Sequence, residues 1–225
     1  MNILWLTRDT DSPDAIALAS YFENCDIGFT ISESKTDINQ SHDLVIVSNY
    51  DQIIEKDLFN IPKKGMVVIH SSDLPKGRGW APIYNCIANA DKEFVVSLIK
   101  IDEKVDSGNI LMKLRIQKPR YISNDNLRRI DQEATVEIVK EFVNNISNDS
   151  SGMVQENANA SYHPKRTPEQ NKLDPDKTIK EVILEILATN ANYPAFIELD
   201  GCRVELQAKT IEYKLKDLSN SIERF

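Results

Sequence analysis

The sequence predicts an α/β protein: a mostly parallel sheet with helices on both faces, followed by a small C-terminal helix and a β-hairpin. Three observations carry this reading. Apolar runs without alternation, such as Ile3-Leu4-Trp5-Leu6, Asp43–Ser48 and Met66–His70, suit strands buried on both faces. Helical segments lie between them, as crossovers between parallel strands require. Near the C-terminus, Asp200-Gly201 separates two alternating runs, a strong hairpin signal.

The elements follow in order. Residues 3–6 open the fold as a buried strand. Ser12-Pro13-Asp14 has the cap-then-proline signature of a helix start, and Ile16, Ala19, Tyr21 and Phe22 give residues 13–23 an apolar face. Strands are expected at 26–32, 43–48 and 66–70, then a helix from Trp80 to Asn89. Phe94–Ile101 and Asn109–Ile116 are two β-rich runs joined by a turn. Leu127, Ile130, Ala134, Ile138, Val139, Phe142 and Val143 recur at helical spacing, predicting a helix over 124–146 capped by Ser123. The polar stretch from 147 has no period and reads as a loop or linker. A helix at 176–189 and the hairpin 195–206 complete the chain. The expected organisation is a core over 1–148, a linker over 149–160 and a C-terminal region over 161–225.

Composition narrows the function. The 225 residues suit one large domain at ~150 residues per domain. A hydrophobic content of 41% argues against wholesale disorder. No apolar run approaches the ~20 residues that cross a bilayer, and the N-terminus turns polar at Arg8-Asp9, so the expectation is a cytoplasmic protein with no membrane partner. Lys+Arg total 27 against 35 Asp+Glu, a net charge of −8 with no basic stripe. This argues against a nucleic-acid partner and leaves a small anion open. Cys25, Cys86 and Cys202 lack metal-ligand spacing, and no metal site is expected.

Neither glycine-rich phosphate motif is present, and there is no G-x-S-x-G elbow. His70 is the histidine to examine. It ends an apolar strand, where α/β folds bind ligands, and opens the loop Ser71-Ser72-Asp73-Leu74-Pro75-Lys76-Gly77-Arg78-Gly79. Such a loop can offer backbone N–H groups and positive charge to an anion. The spacing alone leaves a strand-end histidine satisfied by backbone equally open. The segment Asp106-Ser107-Gly108-Asn109-Ile110 is, by itself, an ordinary turn.

Together these segments resemble the formyltransferase family that uses N10-formyltetrahydrofolate. Leu74-Pro75-Lys76-Gly77-Arg78-Gly79 is similar to its L-P-x-x-R-G loop, and Asp106-Ser107-Gly108-Asn109-Ile110 to its D-x-G-[DN]-I turn. Lys165-Arg166-Thr167-Pro168 and Tyr193-Pro194-Ala195-Phe196 extend the likeness, so it runs over about residues 40–200. The form of the His70 loop resembles the amino-sugar N-formyltransferases, and Lys165-Arg166-Thr167-Pro168 and Tyr193-Pro194-Ala195-Phe196 are similar to a branch acting on UDP-linked 4-amino-4,6-dideoxy sugars, as in the pseudaminic acid pathway.

The resemblance implies a Rossmann-like formyltransferase fold and transfer of a formyl group from N10-formyltetrahydrofolate to a sugar amine, in surface polysaccharide or nonulosonic acid synthesis. It implies His70 as base and Asp106 as its orienting carboxylate. Asn49, Tyr50, Arg78, Gly79, Val105 and Asp106 would face the folate. Ser71, Ser72, Lys76, Gly77, Lys165, Arg166 and Thr167 would face the sugar nucleotide. His42 and His163 are read as structural. Alternatives are a dTDP-linked sugar, methionyl-tRNA, or a non-catalytic sugar-nucleotide or folate binder. The last is suggested by Val68, which stands where the family has an oxyanion-stabilising Asn; Asn85, Asn109 and loop N–H groups are the substitutes nearest in sequence. The hairpin edge near Asp200-Gly201 is one a second copy could pair with to form a homodimer.

Overall fold

A computed structural model describes residues 1–146, 151–210 and 222–225. Strand β1 (Asn2–Leu6) leads through helix α1 (Pro13–Glu23) to β2 (Gly28–Ser32). Then come β3 (Leu44–Ser48), β4 (Met66–His70), the two-residue β5 (Arg78–Gly79), α2 (Pro82–Ala88), β6 (Glu93–Lys100), β7 (Ile110–Gln117) and α3 (Asn124–Asn144). The two-residue β8 (Tyr162–His163), α4 (Ile179–Ala188), the hairpin β9 (Ala195–Leu199) and β10 (Cys202–Leu206), and β11 (Ile222–Arg224) follow.

Seven strands form one sheet in the order β11-β7-β6-β4-β3-β1-β2. The pairs β1–β2, β1–β3 and β3–β4 are parallel, whereas β6 and β11 run against their neighbours. Most strands therefore point the same way, as the unalternating apolar runs predict. The order turns back at β1, with β2 on one side and β3 on the other. Ligands of such sheets sit at the carboxyl ends of strands around this reversal, and His70 stands at one of those ends.

One face of the sheet, carrying Ile3, Trp5, Ile46, Val67 and Ile69, is covered by α1 and α3. Trp5, Phe22 and Phe94 are fully withdrawn from water there, each contributing ~1.5–3 kcal/mol. The other face, with Leu4, Leu6, Val45 and Val47, is closed by loops and the short 3-10 turns Lys35–Asp37 and Lys56–Leu58 instead of α-helices. Both β2-to-β3 and β3-to-β4 connections are too irregular in sequence to have shown this cover.

Boundaries shift for local reasons. α2 starts at Pro82 and not Trp80, because Ala81 takes a left-handed φ of 53°. β2 starts at Gly28, after Asp26 turns the chain with φ 53°. α4 starts at Ile179, where the Thr178 N–H donates to the Glu181 side chain at 2.8 Å, a capping-box arrangement. The expected linker falls partly on residues 147–150, outside the described residues; residues 151–160 are a largely exposed loop, tied down where Met153 bridges Ile110 and where Gln155 is buried. The C-terminal region has its own small core of Leu173, Val182, Ile186 and Ala195, while α4 packs on α2 and β11 joins the main sheet. No described helix is long and apolar enough to cross a membrane.

Candidate active site

His70 ends β4 on the face that also carries Val68, since side chains two apart on a strand share a face. Across the sheet His70 pairs with Ser97, and Ser97 with Lys113, so the three form one row. Each member of the row holds the loop that follows β4. Ser97 Oγ donates to the Ser72 carbonyl at 2.7 Å. Lys113 Nζ donates to the Leu74 carbonyl at 2.7 Å and to the Asp73 carboxylate. The Nε2 of His70 lies 2.8 Å from the Gly77 carbonyl. A carbonyl only accepts, so this nitrogen carries the proton.

Arg115, two residues beyond Lys113, adds a fork to Asp73 with both distances 3.0 Å. Burial pushes the Asp73 carboxyl up, but hydrogen bonds from Arg115 and Lys113 outweigh it and hold the group below its ordinary value. Leu74 is fully buried beside Ile99 and Ile110, with Val68 against the same cluster. The loop is thus pinned flat across this face.

Asp106 arrives from the β6–β7 turn. That turn leaves β6 beside the start of β4, where Val67 pairs with Lys100, and folds back toward His70. Its glycine is sterically required: a Cβ on Gly108 would lie 1.8 Å from the Lys100 carbonyl oxygen. Asp106 Oδ2 then meets His70 Nδ1 at 3.4 Å and accepts from the Gly79 N–H at 2.8 Å. One carboxylate fixes both ring and loop.

A strap over residues 155–163 completes the enclosure. Gln155 uses its whole amide: Oε1 accepts from Arg78 Nε and Nη2 at 3.1 and 2.8 Å, and Nε2 donates to the Asp106 and Gly108 carbonyls at 2.9 and 2.7 Å. Ser161 Oγ accepts from the Gly77 N–H at 2.8 Å, and β5 pairs with β8.

The structure brings most of the sequence-predicted residues to this region. Ser71, Ser72, Gly77, Arg78, Gly79 and Asp106 surround His70, and Lys76 is exposed on the loop. Ser48 pairs with Ile69, so Asn49 lies beside the His70 strand end; the adjoining Tyr50 hydroxyl is buried without a partner. Arg78 and Val105 line a groove of about 490 Å³ with Glu103, Lys104, Ala160, Ser161 and Tyr162. Lys165 and Arg166 instead lie over the rings of Trp80 and Tyr84, at 4.4 and 3.6 Å. Arg166 also donates to Asn171 Oδ1 at 2.9 Å, and Thr167 opens the short turn Pro168–Asn171. This segment is fastened beside the loop through aromatic contacts that its cations alone did not foretell. His42 is buried, and the His163 carbonyl accepts from the Trp80 N–H at 2.9 Å.

Several residues of the region escaped sequence reasoning. Lys113 and Arg115 carried a signal, two cations with period two in an apolar strand. Gln155, in a polar tract, carried none. Asp131 on α3 accepts from Ser71 Oγ at 2.6 Å, and burial pushes its carboxyl up to about 6.

Residues 32–135 match the family described as formyl transferase. A methionyl-tRNA formyltransferase of Mycoplasmopsis pulmonis is 33% identical over 169 residues, covering 73% of this chain and 57% of the relative. The chain spans 53–60% of the length of this and two further methionyl-tRNA formyltransferases. Among solved structures, HypX from Aquifex aeolicus in complex with tetrahydrofolic acid is similar with a TM-score of 0.79 at 19% identity, over 92% of this chain and 37% of that one. A sugar N-formyltransferase from Shewanella sp FDAARGOS_354 gives 0.73 at 18%, over 95% and 99%. Over residues 32–135 the chain carries a formyl transferase domain, and the formyltransferase fold extends from it across nearly the whole described molecule.

Proposed function

We propose that the protein moves a formyl group from N10-formyltetrahydrofolate to the amine of a nucleotide-linked amino-deoxy sugar. The observation that carries this is the His70–Asp106 pair, 3.4 Å apart at the end of β4, inside the family's loop and turn. Acyl transfer to an amine needs a group that takes the amine proton near neutrality, and histidine suits it.

The residues present fit a folate. The groove beside Asp106 has a volume usual for small-ligand sites. Val105 and Tyr162, 54% and 57% exposed, line it and offer apolar surface to a flat ring. Arg78 and Lys104 offer positive charge to carboxylates. Bound there, the donor supplies the formyl carbon. His70 accepts the amine proton, Asp106 orients the ring, and the Asp73 clamp keeps the loop in register. Placing two substrates together supplies much of the remaining acceleration.

The net charge of −8 favours a small phosphorylated acceptor over a polyanionic one. The likeness to methionyl-tRNA formyltransferases favours a second reading, with methionyl-tRNA as acceptor. Incubation with N10-formyltetrahydrofolate and either UDP- and dTDP-linked 4-amino-4,6-dideoxy sugars or methionyl-tRNA, followed by mass spectrometry, separates them. One formyl group gained by a sugar nucleotide supports the first reading; formylation of the tRNA alone replaces it with the second.

A further inference from the structure

Resting on the transfer reading above, we infer that the Ser72 hydroxyl is the oxyanion donor of this site, the role that the side chain of Val68 cannot fill. When an amine nitrogen bonds to the formyl carbon, the carbonyl electron pair moves onto oxygen. That oxygen then needs a donor already in place, and such a donor is worth a large part of the rate.

The donors around His70 are nearly all committed. Ser71 Oγ donates to Asp131, and Ser97 Oγ to the Ser72 carbonyl. The Asn85 amide donates to the Trp80 and Ala81 carbonyls at 3.0 and 2.9 Å, and the Asn109 amide to the Ser151 carbonyl at 2.9 Å. The Gln155 amide is spent on Asp106 and Gly108. Val68 packs with Leu74, Ile99 and Ile110 and has nothing to donate.

Two hydroxyls are the exceptions, that of Tyr50 one strand away beyond β3 and that of Ser72; Ser72 is the one in the loop that His70 opens. Its Oγ is withdrawn from solvent and has no hydrogen-bond partner, an arrangement that is costly for a buried hydroxyl. Its backbone is fixed at both ends, the N–H on the His70 carbonyl at 3.0 Å and the carbonyl on Ser97. The hydroxyl lies against Gly77: a Cβ built there would be 3.3 Å from Ser72 Oγ. Gly77 is also the residue whose carbonyl caps His70 Nε2. One small displacement of Gly77 therefore uncovers an uncommitted donor and, with the ring's single proton carried on Nδ1 toward Asp106, an Nε2 free to accept.

The step balances without any further reactant. The amine N–C bond forms as the C=O pair moves to oxygen, which accepts from Ser72 Oγ–H. The amine proton passes to His70. The C=O bond re-forms as the bond from the formyl carbon to the donor nitrogen breaks, and that nitrogen takes the proton from His70.

The experiment compares kcat and KM for formyl transfer in wild type, Ser72→Ala, and Ser72→Ala/Val68→Asn, with folding checked by circular dichroism. The expected result is a loss of roughly 10²-fold in kcat for Ser72→Ala with KM little changed, and recovery of at least tenfold when Val68→Asn supplies an amide two residues before His70. Turnover in Ser72→Ala within threefold of wild type overturns the assignment. So does a loss that Val68→Asn leaves in place, which would give Ser72 a loop-building role only. Absence of transfer by wild type to sugar or tRNA overturns the transfer reading and this inference with it.

Discussion

The Gly77 carbonyl oxygen sits 2.8 Å from Nε2 of His70, on the side of the ring opposite Asp106. The ring is thus held between an acceptor on the loop and an acceptor on the β6–β7 turn. Nε2 therefore turns its proton toward Gly77. The proposed transfer requires Nε2 to part from Gly77 and to stand without that proton before it can take one from a substrate amine.

His70→Asn and Asp106→Asn should each remove most of the turnover, on the order of 10²–10⁴-fold, with the fold retained. Formyl-transfer rates together with far-UV circular dichroism check this. Wild-type-like rates in both variants would remove the pair from the mechanism.

Asp131 gives a stability prediction of definite sign. Its carboxyl, withdrawn from water by burial, is pushed from 3.8 to about 6. The folded protein therefore favours the protonated form, and the benefit is present below the ordinary value and lost as pH rises through about 6. Asp131→Asn keeps an acceptor for Ser71 without the charge. It should match wild type near pH 4 and exceed it by about 2 kcal/mol at pH 7.5, read by urea unfolding at both pH values. Equal stability at both would contradict the shift.

The Asp73 clamp behaves in the opposite sense. Its carboxyl is held below the ordinary 3.8, so its contribution is present above that value and lost as pH falls through the lower folded one. Asp73→Ala leaves Lys113, 5% exposed, without its carboxylate and should cost on the order of 2 kcal/mol near neutrality. Adding Lys113→Met should recover part of that loss. A double-mutant cycle by thermal unfolding measures the coupling.

Gly108 should tolerate no side chain. With the Lys100 carbonyl oxygen 1.8 Å from where a Cβ would sit, Gly108→Ala must move backbone. The expected cost is about 1–3 kcal/mol, with a larger fall in kcat than the stability loss explains, because the same turn delivers Asp106. Differential scanning calorimetry and kinetics on one preparation decide it.

Much of this architecture was legible in the sequence. The apolar runs at β1, β3 and β4 announce themselves because both their faces are buried. Ser12-Pro13 marks the start of α1. The Asp200-Gly201 turn has positive φ at both residues, 48° and 79°, as a two-residue hairpin needs. The His70–Asp106 pairing followed from motif resemblance, and the two groups do meet. What stayed hidden depends on partners distant in sequence. β5 and β8 are two residues each and too short to show any period. β11 comes after residues 211–221, outside the described residues, and pairs with β7 from there. Gln155 lies in a stretch whose polarity reads as solvated, yet it is buried, because its amide satisfies four groups of two other segments. The fastening of Lys165 and Arg166 on Trp80 and Tyr84 is likewise invisible to spacing.

The pairing of β5 with β8 couples two stretches of chain that share no other element. Gly77, Arg78 and Trp80 give their N–H groups to Ser161 and His163, and Ser161 gives its own to Pro75. Deuterium uptake at these amides should accordingly rise in concert, as one cooperative unit, and slow together once a ligand seats in the neighbouring groove.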